Sequence, residues 1–214
     1  LTGNGGVDTF VVDGMDAITD LGKGGADVVT VAVGAVLNAT LAADWTATVD
    51  TVNLGEAQLN TAGYAVDLSA VSTGQGFSVT NTSATGASLT GSGMGDTLTG
   101  GAGGDNLDGG EGSDLYLIAQ ASDYTDDDTL LDSGATGTDE IRFSSVIAGD
   151  SLVLDNVSGI ERIVIGTGAA AAAVTSATTA LNVDASALMD DLELIGNDGD
   201  NVLTGGTGND VLTG

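Results

Sequence analysis

Nine-residue runs of the form G-G-x-G-x-D-x-U-x, where U is a large apolar residue, recur in strict register along this chain and leave few folds open to it. Residues 100–108 read GGAGGDNLD, residues 109–117 follow directly as GGEGSDLYL, and residues 205–213 read GGTGNDVLT. Imperfect copies occupy 3–11 (GNGGVDTFV), 22–30 (GKGGADVVT), 91–99 (GSGMGDTLT), 134–142 (GATGTDEIR) and 196–204 (GNDGDNVLT). The glycines permit positive φ and close backbone approach in a tight turn. Their exposed carbonyls and the carboxylate at the sixth position are hard oxygen ligands of the kind calcium takes. The U residue points inward from a strand of about three residues, as in repeat solenoids that bury one face of each unit.

The candidate calcium ligands are therefore Gly3, Gly6 and Asp8; Gly22, Gly25 and Asp27; Gly91 and Asp96; Gly100, Gly101, Gly103 and Asp105; Gly109, Gly110, Gly112 and Asp114; Gly134, Gly137 and Asp139; Gly196, Gly199 and Asn201; and Gly205, Gly206, Gly208 and Asp210. Two nonapeptides make one coil, so a complete site lies between turns two nonapeptides apart. That rule pairs Asp96 with Asp114 and Asp105 with Asp123, although the turn before Asp123 lacks the glycines. Several calcium ions are expected.

Composition supports the same reading. Of 31 acidic residues 26 are Asp and five are Glu, against three basic residues, for a net charge of -28. A short carboxylate in a Gly-rich setting belongs to turns. Three cations cannot neutralise a phosphate track, which excludes nucleic acid as a partner. No 18-residue apolar stretch predicts membrane insertion. Only 3% of the chain is aromatic, so the core is built of Val, Leu, Ile and Ala in thin layers. Without His or Cys there is no Ser–His or Cys–His nucleophile and no ordinary zinc site, and the chain is not expected to be an enzyme.

The full nonapeptides resemble those of the RTX family of bacterial secreted proteins. The specific motifs cover roughly 3–30, 91–142 and 196–214, and the intervening sequence resembles the spacer segments of large RTX surface proteins, with phrases such as GIERIVIGTG and LNVDASAL. The resemblance implies an all-β fold, a parallel β-roll or right-handed β-solenoid with calcium-binding Gly/Asp turns. It also implies calcium-driven folding and export by a type I secretion machine to the cell exterior and surface.

Overlaying Leu1-Thr2-Gly3 on Leu212-Thr213-Gly214 gives an unbroken nonapeptide register, which suggests one unit of a tandem array or of an end-to-end stack. An internal offset near 110 aligns 27–33 with 139–145, 66–71 with 183–188, 77–80 with 192–195 and 89–91 with 203–205. Residues 1–99 and 100–214 are thus two half-repeats of one continuous solenoid.

Alternation predicts strands at 9–12, 28–33, 49–54, 64–68, 77–80, 115–118, 140–143, 152–154, 160–165, 181–183 and 192–195. Residues 35–45 and 119–132 are less regular, each either a short helix or a wide loop. The Ala/Thr-rich stretch 168–180 is a loop or a short helix. The acidic run Asp123, Asp126, Asp127, Asp128 and Asp132 is either a further calcium site or a solvated loop. Asp198 or Asp200 is a candidate to supply the charge missing at Asn201, while Asp13, Asp16 and Asp20 read as surface residues. Trp45, Tyr64, Tyr116 and Tyr124 read as packing residues, and Arg142 and Arg162 as ion-pair partners of nearby acids. The functional expectation is a calcium-dependent structural unit of an extracellular fibre, surface layer or adhesin stalk, with copies of itself as partners. The alternatives are a module binding cell-surface glycan and a secretion or folding appendage of an enzyme elsewhere on the chain.

Overall fold

The computed structural model describes all residues 1–214. It is an all-β solenoid of about ten coils in which all paired strands run parallel. One wall is a continuous ten-stranded sheet made of Met15–Leu21, Val36–Leu41, Glu56–Asn60, Ser78–Thr80, Thr97–Thr99, Leu115–Ile118, Glu140–Phe143, Arg162–Ile165, Glu193–Ile195 and Val211–Thr213. The facing wall is relayed through three shorter sheets. Thr9–Val12, Val28–Val31 and Val52–Asn53 form the first. Trp45–Thr46, Val66–Asp67, Ser88–Thr90, Asn106–Asp108, Thr129–Leu131 and Val157–Ser158 form the second, and Ser151–Val153, Asn182–Asp184 and Val202–Thr204 the third.

The nonapeptide sets the local geometry. Thr97 pairs with Leu115 and Glu193 with Val211, each eighteen residues on, which is two nonapeptides per coil. Elsewhere the coil is longer: Leu115 pairs with Glu140 and Arg162 with Glu193, the extra residues leaving the sheet as loops. Strand ladders cross residue 99 without a break. Inward residues stack coil upon coil, as in Ala39, Leu59, Val79, Leu98, Tyr116, Ile141, Ile163 and Leu194, and they belong to one core cluster of 40 buried residues. Truncating one of these, such as Leu98→Ala, should cost about 2–5 kcal/mol.

Residues 35–45 are neither helix nor loop but the strands Val36–Leu41 and Trp45–Thr46. Leu37, Ala39 and Leu41 face inward and Asn38 and Thr40 outward, a strict alternation disguised by Asn and Ala, which are depleted in strands. Met15–Leu21 and Glu56–Asn60, equally poor in β-branched residues, are strands for the same reason. Residues 119–132 hold a one-turn 3-10 helix, Ala121–Asp123, and the strand Thr129–Leu131. The 168–180 stretch is a loop pinned by an antiparallel bridge between Thr167 and Val174. The buried Arg142 guanidinium donates to its Gly168 and Ala170 carbonyls at 2.7 and 2.9 Å.

The half-repeat offset holds for Phe77 and Leu192, each of which directly precedes a strand of the ten-stranded sheet, and for Val66 and Val183 on the facing wall. It fails for Asp27 and Asp139, which precede strands on opposite walls, because the loops between them do not add whole coils. Trp45 is buried, with its indole N–H donating to the Asp27 carbonyl at 3.0 Å, and Tyr116 and Tyr124 are buried as expected, but Tyr64 is exposed.

Candidate metal centre

The residue before each strand carries the chemistry. Along the turns entering the ten-stranded sheet, each backbone N–H donates to the carboxylate of the next coil. Phe77 donates to Asp96 at 2.5 Å, Asp96 to Asp114 at 2.6 Å, Asp114 to Asp139 at 2.7 Å and Asp139 to Glu161 at 2.9 Å. Farther on, the Leu192 N–H donates to Asp210 at 3.1 Å. Along the turns of the facing wall Ala87 donates to Asp105 at 2.8 Å and Asp105 to Asp128 at 2.7 Å, while Asp8 donates to Asp27 at 3.0 Å. The position-six carboxylate is thus a coil-to-coil connector in the nonapeptide turns.

The first glycine of the nonapeptide lies against that carboxylate. A Cβ on Gly3, Gly91, Gly100 or Gly205 would fall 2.1, 2.8, 3.0 or 2.4 Å from the Asp8, Asp96, Asp105 or Asp210 carboxylate oxygen. The glycine at position four is held by its backbone: Gly112 has φ 133°, and a Cβ there would sit 2.6 Å from the Met94 carbonyl carbon one coil away. Gly6, Gly101, Gly103, Gly110 and Gly137 share positive φ, whereas Gly206 and Gly208 of the last full copy do not.

The register rule holds for Asp96 and Asp114 and fails for Asp105. The partner of Asp105 is Asp128, because the coil from Asn106 to Thr129 is 23 residues long and the added residues include the 3-10 turn. Asp123 is spent on that turn, where its carboxylate accepts the Gln120 N–H at 3.1 Å. Asn201 receives no carboxylate from Asp198 or Asp200, both exposed; its amide donates to the carbonyl of Leu181 and to the side-chain oxygen of Asn197. Asp20 is buried rather than solvated, accepting the N–H groups of Gly3 and Asn4.

One place gathers more carboxylates than hydrogen bonds can satisfy. Asp114, Asp132 and Asp139 are all buried, and one oxygen from each lies within 4.8 Å of the others. Asp132 comes from the end of the facing-wall strand Thr129–Leu131. It accepts the Gly134 N–H at 2.9 Å and the Tyr116 hydroxyl at 2.9 Å. Gly109 is wedged between two of the three, since a Cβ there would lie 2.6 Å from Asp132 Oδ2 and 2.7 Å from Asp114 Cβ. Asp114 Oδ1 accepts the Asp96 N–H, but Asp114 Oδ2 is buried without any partner. On the facing wall Asp105 Oδ2 is in the same condition.

No basic side chain compensates this cluster. Arg142 is bound to Glu140 at 2.6 Å and Arg162 to Glu193 at 2.8 Å. Burial, reinforced by repulsion from Asp96, Asp132 and Asp139, pushes the Asp114 carboxyl up to about 8. Burial raises Asp96 and Asp139 to about 6, and raises Asp105 and Asp132 as well. Buried carboxylates this close must be protonated or share a cation. The cluster can hold a metal ion, and its donors are all oxygen, which suits a hard cation.

Asp132 and Tyr116 are the partners that the nonapeptide template omits. Asp132 belonged only to the acidic run 123–132, since the coil after Asp114 is 25 residues long and leads to Asp139; Tyr116, at a U position, carried only a packing signal. Among known proteins, no family model, no curated protein and no solved structure matches this chain.

Proposed function

We propose that this chain is a calcium-binding solenoid of the RTX type, a structural repeat unit of an extracellular surface protein that folds after secretion. The observation that carries the reading is the buried Asp114–Asp132–Asp139 cluster, in which Asp114 Oδ2 has no partner and no basic side chain forms an ion pair. Calcium takes six to eight oxygen ligands in flexible geometry, which a turn of carboxylates and glycine carbonyls can supply. Extracellular calcium modules have Kd values of roughly 0.1–1 mM, so such sites would fill outside a cell and stay empty at cytosolic calcium. A chain of net charge -28 repels itself until cations bridge its coils.

The solenoid shape supports a structural role. Solenoids stack through nearest-neighbour contacts. The test is a calcium titration of the chain followed by circular dichroism, calorimetry and light scattering. A cooperative gain of β signal near millimolar calcium, then growth of scattering, is expected. Full β signal in excess chelator with no heat of calcium binding would refute the calcium reading, and folding without growth would refute the stacking.

A further inference from the structure

The outer face of the ten-stranded sheet approaches the metal centre only in its second half, and its first half, from Met15–Leu21 to Thr97–Thr99, differs from the rest of the surface. Cross-strand pairing lines up Ala17, Asn38, Gln58, Ser78 and Thr97 in one outward row. A second row runs Thr40, Asn60, Thr80 and Thr99. Three shallow cavities follow these rows. The first, of 320 Å³, joins the second, of 360 Å³, at Gln58 and Ser78. The third, of 380 Å³, continues from Thr97 but is lined by Asp96, Asp114, Glu140, Arg142 and Arg162 and belongs to the charged central coils. The first two make a nearly uncharged trough along the solenoid axis.

In a protein of net charge -28, Glu56 is the one charged residue lining the first two cavities. Of the amides and hydroxyls in the two rows, only Asn60 is engaged by its own chain, through the Ala62 N–H and the Thr82 hydroxyl. The others stand free on a rigid sheet, one per rung, at the interstrand spacing of about 4.8 Å. We propose that this trough binds a neutral, linear polysaccharide lying parallel to the solenoid axis.

The chemistry selects that occupant. Unbound amide and hydroxyl groups are donors and acceptors at once, the complement of a polyhydroxyl chain. The backbone of the sheet interior is already paired, so no peptide strand can add to this face. The rows carry almost no apolar side chain to hold a lipid or a hydrophobic peptide. A polyanion is repelled by the whole molecule, and a neutral polymer is not.

The test is affinity electrophoresis of the full chain, with calcium present, through gels carrying mannan, dextran, β-glucan, galactan or alginate. At least one neutral polymer should retard the chain. The combined Asn38→Ala, Gln58→Ala and Thr97→Ala variant should lose that retardation at least tenfold while its circular dichroism stays unchanged. These three side chains make no internal hydrogen bond, and a single Gln58→Ala variant should show an intermediate loss if the triple variant misfolds. Retardation by no neutral polymer, retention of binding in a folded triple variant, or retardation by alginate alone would overturn the proposal. So would inhibition of ice growth in the absence of polymer binding. The calcium titration is a separate readout, so failure of the calcium reading leaves this result standing and the reverse holds too.

Discussion

At the turn before Leu115 the Asp96 N–H is met by a carboxylate, and the second oxygen of that carboxylate is buried with nothing to bind. At the turn before Gly55 the equivalent work is done by an amide. Asn53 is fully buried, its Nδ2 donates to the carbonyls of Gly76 and Gln75 at 2.6 and 3.4 Å, and its Oδ1 accepts the Gly55 N–H at 3.1 Å. Asn81 repeats the device, donating to the Thr85 carbonyl and to Asp105 and accepting the Ser83 N–H. An amide brings both donors and acceptor and is neutral, whereas a carboxylate only accepts and is charged. The coils from about 31 to 90 are therefore joined by groups the chain itself supplies. Those from about 91 to 161 are joined by groups that need a proton or a cation.

The largest consequence appears on removing divalent ions. In chelator, amides of the coils from 91 to 161 should lose protection from hydrogen exchange by roughly 100-fold relative to saturating calcium, the about 2.7 kcal/mol of a site held near 100 times its Kd. Amides of Val36–Leu41 and Glu56–Asn60 should change little. Equal loss in both regions would erase the distinction.

Asp114→Ala sharpens the comparison within the central coils. It removes the orphan oxygen and one of three clustered carboxylates, so calcium affinity at this site should fall roughly tenfold or more by calorimetry. Asp132→Ala should behave alike, while Asp123→Ala, which touches only the 3-10 turn, should leave affinity unchanged. A loss at Asp123 comparable to that at Asp114 would restore the simple eighteen-residue rule.

That rule shows how far the sequence could be read. The solenoid, the inward U residues and the Asp96–Asp114 step were legible because glycine and aspartate spacing is a local property of each turn. The Asp105–Asp128 step was not, since a loop of five extra residues leaves no mark on the nonapeptides either side of it. Asn53 and Asn81 were missed for a different reason. A buried amide cross-linking two coils has no template at all, and in the sequence each looks like any turn asparagine. The strands Met15–Leu21 and Val36–Leu41 were hidden by Ala17 and Asn38 at outward positions and by Ala39 and Asp20 at buried ones, where packing against the next coil outweighs intrinsic preference.

Asn81→Ala should strike the first region in the way that chelation strikes the second. It strips a donor from the Thr85 carbonyl and from Asp105 Oδ1, both in part-buried or buried surroundings. Leaving such groups unpaired costs about 1–3 kcal/mol. The loss should be seen as a lower urea midpoint both with calcium and in chelator, because no ion substitutes for the amide.

The smallest and most graded effect is that of pH on the chelated chain. Burial raises Asp96 to about 6, and burial with repulsion from neighbouring carboxylates raises Asp139 to about 6 and Asp114 to about 8, from 3.8 in a free side chain. The folded form therefore holds protons that the unfolded form releases, and stability is fully present below about pH 4 and declines as pH rises through 6 toward 8. In chelator the urea midpoint should fall steadily from pH 5 to pH 9. Calcium must displace the same protons, so its affinity should climb over that interval and cancel the decline. The amide-joined coils hold no such protons, and the protection factors of Glu56–Asn60, with the intrinsic pH dependence of exchange divided out, should stay level across it. A chelated chain whose midpoint rose with pH would mean that these carboxylates are ionised and paired in the folded state, and the cation would then have no vacancy to fill.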